Sequence, residues 1–282
     1  MKKFFLMSLV ALVFLAMVSC LGLNYGGGSV EDDTPTQVTE IKQVTTMKPF
    51  DAVNINGAFR VIYRHGNEHS VAVDASEQAF KEMTVYVKDG ELCIHKTVDK
   101  PTARLGNVKV YVTSPELHKI DVSGSGLFAA NDTIDLGTNP RVFVDGKSWV
   151  LLMSAINQGK TIFSVDGSAN IQIGRLKTEG MVAALEGSGV IEMGELECQT
   201  LRVDITGSGE MSCENIQADN VYADISGSGN VNLKGTVKNI NKEISGSGKV
   251  NISDVSPADT VKQIERMIKA FFKNSNDKKD SQ

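Results

Sequence analysis

A glycine-centred unit recurs at close to 20 residues, and no other feature of the sequence limits the fold so tightly. Aligned on one glycine, the units read IDVSGSGLF, VFVDGKSWV, FSVDGSANI, AALEGSGVI, VDITGSGEM, ADISGSGNV and KEISGSGKV. Their anchors are Gly124, Gly146, Gly167, Gly187, Gly207, Gly227 and Gly246, spaced 22, 21, 20, 20, 20 and 19 residues apart. A period that regular marks a repeat architecture whose single units are too small to bury their own apolar faces.

The columns flanking the anchor say what each unit is. Two residues before it stand Val122, Val144, Val165, Leu185, Ile205, Ile225 and Ile244. Four after it stand Phe128, Val150, Ile171, Ile191, Met211, Val231 and Val250, and six after it Ala130, Leu152, Ile173, Met193, Cys213, Leu233 and Ile252. Polar residues such as Gln172, Glu192, Ser212, Asn232 and Asn251 lie between those last two columns. This is the period-2 alternation of short strands with one face in and one face out. β-Branched alternation and frequent glycine (26 residues) exclude a helical solenoid. The expectation is an all-β, single-domain parallel β-helix with coils of about 20 residues, stacked ~4.8 Å apart.

Gly-Ser-Gly then reads as structure rather than as a phosphate loop. A phosphate loop is one glycine-rich turn opening a helix. Here the turn recurs and opens a strand each time. The anchor glycine allows a corner where a Cβ would be strained, and Ser125, Ser168, Ser188, Ser208, Ser228 and Ser247 would form a row of hydroxyls. Val144-Asp145-Gly146-Lys147 departs from the other units, which leaves register least secure at that coil.

The two ends read differently. Lys2 and Lys3 precede an apolar run, Phe4–Val18, that ends at Ser19-Cys20. This resembles a bacterial lipoprotein signal, with Met17 where Leu is usual, and implies cleavage after residue 19 and lipid on Cys20. Residues 20–48 read as the lipidated N-terminus and a flexible tether, and residues 49–254 as the β-helix. Ser256-Pro257 opens an amphipathic helix with Val261, Ile264, Ile268 and Phe271 on one face. Residues 255–282 are expected to form a short helical cap on the open end of the solenoid, followed by a polar tail. A partner-binding or membrane-surface helix is the rival reading.

The stretch from Phe50 to Leu117 is strand-rich, with turn signals at Asn56-Gly57 and Asp89-Gly90, and is expected to supply looser coils of the same solenoid. Three stretches, FDAVNINGAFRVIYRHGNEHSVAVDASE, VKVYVTSPELHKIDVSGSG and the DISGSG units, resemble the "putative auto-transporter adhesin, head GIN domain" family. The resemblance runs from about Phe50 to Ser253. It implies a β-helical, secreted or lipid-anchored protein of the Gram-negative envelope, and it carries no catalytic motif.

Chemistry-bearing residues are sparse. A net charge of −5 leaves no basic surface for nucleic acid. His65 and His69 flank a Gly-Asn turn and read as surface residues. Cys93, Cys198 and Cys213 form no CxxC pair, and Cys213 falls in an inward column. Asp145, Asp166 and Glu186 stack on three successive coils. That ladder reads first as solvated surface charge, with a Ca²⁺ site as the alternative and no other cofactor implied. Asp204, Asp224 and Glu243 make a second, interrupted column.

The functional expectation is a non-enzymatic adhesion, interaction or structural role. The expected membrane contact is the N-terminal lipid at the outer membrane, and the expected ligand is a glycan or surface protein. The alternatives are a polysaccharide-active β-helix enzyme, disfavoured because short coils leave no loops to wall a groove, and an envelope assembly component using its C-terminal helix. Oligomeric state is not legible.

Overall fold

The computed structural model describes residues 41–100 and 103–253. The stretches expected to form a signal sequence, a lipidated Cys20, a tether up to residue 40 and a C-terminal helix lie outside the described residues. Within them the chain is a parallel β-solenoid, as the period requires.

The strands are β1 (Ile41–Thr46), β2 (Ala52–Gly57), β3 (Arg60–His65), β4 (Ser70–Asp74), β5 (Met83–Lys88), β6 (Glu91–Lys96), β7 (Lys109–Ser114), β8 (Lys119–Gly124) and β9 (Leu127–Thr138). They continue with β10 (Arg141–Val144), β11 (Trp149–Gln158), β12 (Lys160–Gly167), β13 (Asn170–Lys177), β14 (Gly180–Gly187), β15 (Val190–Gly207), β16 (Glu210–Gly227), β17 (Asn230–Gly246) and β18 (Lys249–Ser253). A short helix, α1 (Glu77–Lys81), starts at Ser76, whose Oγ accepts from the Ala79 N–H at 3.3 Å.

From β8 onward each coil lies directly on the one before it. The anchor glycines are in line, with Gly167 opposite Gly187, Gly187 opposite Gly207, Gly207 opposite Gly227 and Gly227 opposite Gly246. The divergent coil keeps register too, since Val144 faces Val122 on one side and Val165 on the other. All seven anchors have positive φ, from +73° to +129°. A Cβ on Gly187 or Gly207 would also lie 2.6 Å from the carbonyl oxygen of the anchor beneath. The corner therefore excludes any side chain twice, by dihedral and by contact. The serine row is exposed, and its backbone ties the coils together: the Ser188 and Ser208 N–H groups donate to Gly167 O and Gly187 O at 2.8 and 2.7 Å.

The inward columns form one continuous core. Val122, Val144, Val165, Leu185, Ile205 and Ile225 are each at most 2% exposed. Burying each such side chain contributes about 1.5–3 kcal/mol. In β15 the in–out alternation breaks at Met193-Gly194, where successive residues are both buried, and again at Gln199-Thr200, where neither is. The chain turns there, so each coil has three flat sides. We call the side ending at the anchor sheet one.

The N-terminal coils depart from sequence order. On sheet one β2 lies between β6 and β8, and on the next side β3 lies between β7 and β9. The coil of residues 52–65 is thus wedged between two later ones, and Gly57 sits opposite Gly124 although 67 residues separate them. The expectation that this stretch joins the solenoid holds, but its coils are shuffled. Three antiparallel strands finish this end: β5 on β6, β4 on β7 and β1 on β4. Asp89 and Gly90, both at positive φ, make the tight β5–β6 turn. Strand β1 corrects the tether reading over Ile41–Thr46, because Ile, Val and two Thr residues in IKQVTT favour the extended edge they take against β4.

Candidate functional site

The out-of-order stacking assembles a grid of outward side chains on sheet one. Opposed residues fix its rows: Lys88, Tyr86 and Thr84 of β5 face Glu91, Cys93 and His95 of β6. Those face Ala52, Asn54 and Asn56 of β2, and the next row is Lys119, Asp121 and Ser123 of β8. Arg141 and Phe143 of β10 follow. Chain segments far apart in sequence thereby share one flat surface.

The polar contacts of this surface follow from its rows. Lys119 Nζ donates to Glu91 Oε1 at 2.8 Å, reaching across the rung of Ala52, whose methyl leaves the path clear. The same ammonium lies 3.8 Å from Asp121. The Nε2–H of His95 donates to Asn54 Oδ1 across 2.9 Å, and the His95 ring meets Tyr86 edge-on with centroids 5.9 Å apart. Tyr86 remains 41% exposed and Phe143 36%, so both offer ring surface to solvent.

Electrostatics rank these groups. The hydrogen bond it donates to Glu91 raises the Lys119 ammonium above its ordinary value and keeps it charged. Burial pushes the Asp121 carboxyl up, partly countered by Lys119. Burial likewise raises the Cys93 thiol, which is therefore neutral at pH 7 and a poor nucleophile. Cys198 and Cys213 are buried and free, and burial pushes their thiols up to about 11 and about 12. The surface can therefore donate and accept hydrogen bonds and stack on apolar faces. It has no activated nucleophile.

The residues singled out from the sequence fall elsewhere. Asp145, Asp166 and Glu186 do occupy successive rungs, Asp166 opposite Glu186, and all three side chains are exposed. Among the described residues no three His, Cys, Asp or Glu side chains gather so as to hold a metal ion. In the second acidic column Asp204 accepts from Arg202 Nε at 2.8 Å. His65 is exposed, and His69 packs edge-on against Phe50. The sequence reading missed Tyr86, Glu91, Lys119 and Asp121, because only the wedge of β2 between β6 and β8 brings them together. The alternation of MTVYVKDGELCIHKT is the one signal that could have marked them, since it puts Tyr86, Glu91, Cys93 and His95 outward.

Three solved structures share the fold. A "putative adhesin" from Bacteroides fragilis NCTC 9343 matches with TM-score 0.66 at 19% identity, covering 78% of this chain and 99% of its own. One from Parabacteroides distasonis ATCC 8503 gives TM-score 0.60 at 20% identity over 77% and 98%. One from Parabacteroides merdae ATCC 43184 gives 0.58 at 22% identity over 76% and 95%. Among curated proteins no match is found. The family model described as "Putative auto-transporter adhesin, head GIN domain" matches residues 49–214 and 184–263. With most of its length matched and its glycine corners and strand columns in register, the chain belongs to that head GIN domain family.

Proposed function

We propose that this protein is a non-enzymatic binding module of the cell envelope, and that the outer face of sheet one over β5, β6, β2, β8 and β10 is where it meets its ligand. One observation carries the reading: exposed rings of Tyr86 and Phe143 flank a hydrogen-bonding field of Glu91, His95, Asn54, Lys119 and Asp121 on a flat surface. Aromatic faces beside carboxylates and amides suit the apolar and hydroxyl-bearing faces of a glycan, or a flat protein epitope. Short corners support binding over turnover, because only Ser168 and Ala169 link β12 to β13, and only Ser188 and Gly189 link β14 to β15. Such corners cannot wall a substrate groove. The family and the adhesin names of its structural neighbours agree with this reading. A lipid on Cys20 would hold the module at the outer membrane of a Gram-negative cell. Metabolic labelling with a palmitate analogue, abolished in Cys20→Ala, checks the anchor.

The test is a glycan and matrix-protein array probed with the purified protein, in calcium and in chelator, with product analysis of each polysaccharide. A specific hit unaffected by chelator, without depolymerisation, is the expected result. Depolymerisation would replace this reading with the enzyme one, and a blank array in both conditions would remove the adhesion reading.

A further inference from the structure

Among the described residues three Phe, Tyr or Trp side chains are exposed, and all three stand on sheet one: Tyr86 at 41%, Phe143 at 36% and Tyr222 at 44%. Their spacing is regular. Tyr86 leads to Phe143 through Cys93, Asn54 and Asp121, one opposed residue per rung, so Phe143 lies four rungs away in the same column. From the Phe143 rung the adjacent outward column runs Arg141, Ile162, Val182, Arg202, Tyr222, which is four rungs again. At ~4.8 Å per rung the rings are ~19 Å apart, and the line they mark extends ~38 Å along the rod. Short side chains separate them: Ala52 and Asn54 on one side of Phe143, Ser164 and Ala184 on the other. Charge along these two columns cancels, because Lys88, Lys119, Arg141 and Arg202 are matched by Glu91, Asp121, Asp204 and Asp224.

We propose that this line seats a neutral, linear glycan lying lengthwise on the rod, with one sugar face on each ring. The inference rests on the ligand face proposed above and extends it from β10 to β16. Spacing selects the ligand. An extended pyranose chain advances by about one strand spacing per sugar, so the three rings meet the first, about the fifth and about the ninth sugar of one chain. The paired donors and acceptors between the rings suit hydroxyl groups: Lys119 with Glu91 at 2.8 Å, His95 with Asn54 at 2.9 Å and Arg202 with Asp204 at 2.8 Å. A protein epitope would instead call for aromatic anchors clustered at one desolvated centre, and these rings are dispersed. An anionic chain would run beside exposed Asp145, Asp166 and Glu186, which border the line on the same face and repel it. Three weak stacking contacts joined by one chain add up through effective concentration, so affinity depends on chain length.

Calorimetric titration of the full-length protein tests it, using glucan and mannan oligosaccharides of about two to about ten sugars and oligogalacturonates of the same lengths as the charged comparison. Affinity for a neutral series is expected to rise in two steps, at about five and about nine sugars, each roughly tenfold, and to stay lower for the oligogalacturonates. Tyr222→Ala should remove the second step and keep the first, and Tyr222→Phe should restore it. Because the Tyr222 ring is exposed, its removal leaves no cavity, and an unchanged melting temperature checks that the variant is folded. Affinity that does not grow with length would overturn the proposal, as would a parent-like second step in Tyr222→Ala. If Tyr86→Ala weakens binding while Tyr222→Ala does not, the lengthwise seat falls and the ligand face stands. If neither weakens it, both fall. Binding confined to the oligogalacturonates or to a matrix protein would also overturn the neutral glycan.

Discussion

At Asp121 single-residue electrostatics conflicts with position. Its carboxylate sits half-buried on sheet one, and burial raises its pKa in the folded state despite Lys119 at 3.8 Å. A raised carboxyl pKa means that the folded chain holds the proton more tightly than the unfolded one. Stability at this site is therefore present at low pH and falls as pH rises through the folded-state pKa. Asp121→Asn keeps the shape and removes the charge. It is expected to raise the urea midpoint at pH 7, with the gain vanishing once Asp121 is protonated in the parent. A variant less stable than the parent at pH 7 would show that Lys119 outweighs burial. Because Lys119 keeps its bond to Glu91, neither outcome dismantles the surface.

At the scale of elements, the glycine corner is the part that could be read from the sequence and that the structure uses as read. The period, the inward columns and the need for a residue without a Cβ all follow from one local rule applied to every coil, and a local rule is visible in one dimension. Gly187→Ala forces a positive φ of +99° and a Cβ 2.6 Å from Gly167 O, and should cost roughly 2–4 kcal/mol in urea unfolding. Ser188→Ala, one residue on, removes only an exposed hydroxyl and should change stability by less than about 0.5 kcal/mol. Equal effects would mean that the corner tolerates a side chain. What could not be read was the order of the first coils. The segments 52–65 and 91–114 carry similar apolar alternation, and nothing local says which of two such coils stacks on Lys119–Gly124. Their pairing is decided by tertiary contact, as is the antiparallel finish of β1, β4 and β5. The candidate site was missed for the same reason, since Tyr86, Glu91 and Lys119 become neighbours only through that order.

At the scale of the whole molecule, the wedge makes a prediction of its own. Strand β2 has a parallel partner on each side, whereas among the described residues β5 pairs only with β6. Amides of β2 are therefore expected to exchange as slowly as those of mid-rod β12 and β14, and those of β5 faster. Edge-like exchange in β2 would mean that the coils stack in chain order. The functional account depends on the same feature, because a binding face composed of distant chain segments exists only if they are wedged together. Its most direct test is affinity for the ligand found on the array, compared among the parent, Tyr86→Ala, Lys119→Glu and a control, Lys177→Ala, whose side chain pairs with Glu197 outside sheet one. The account predicts at least a tenfold loss of affinity for Tyr86→Ala and for Lys119→Glu, with the control unchanged. Parent-like binding by both sheet-one variants would contradict it.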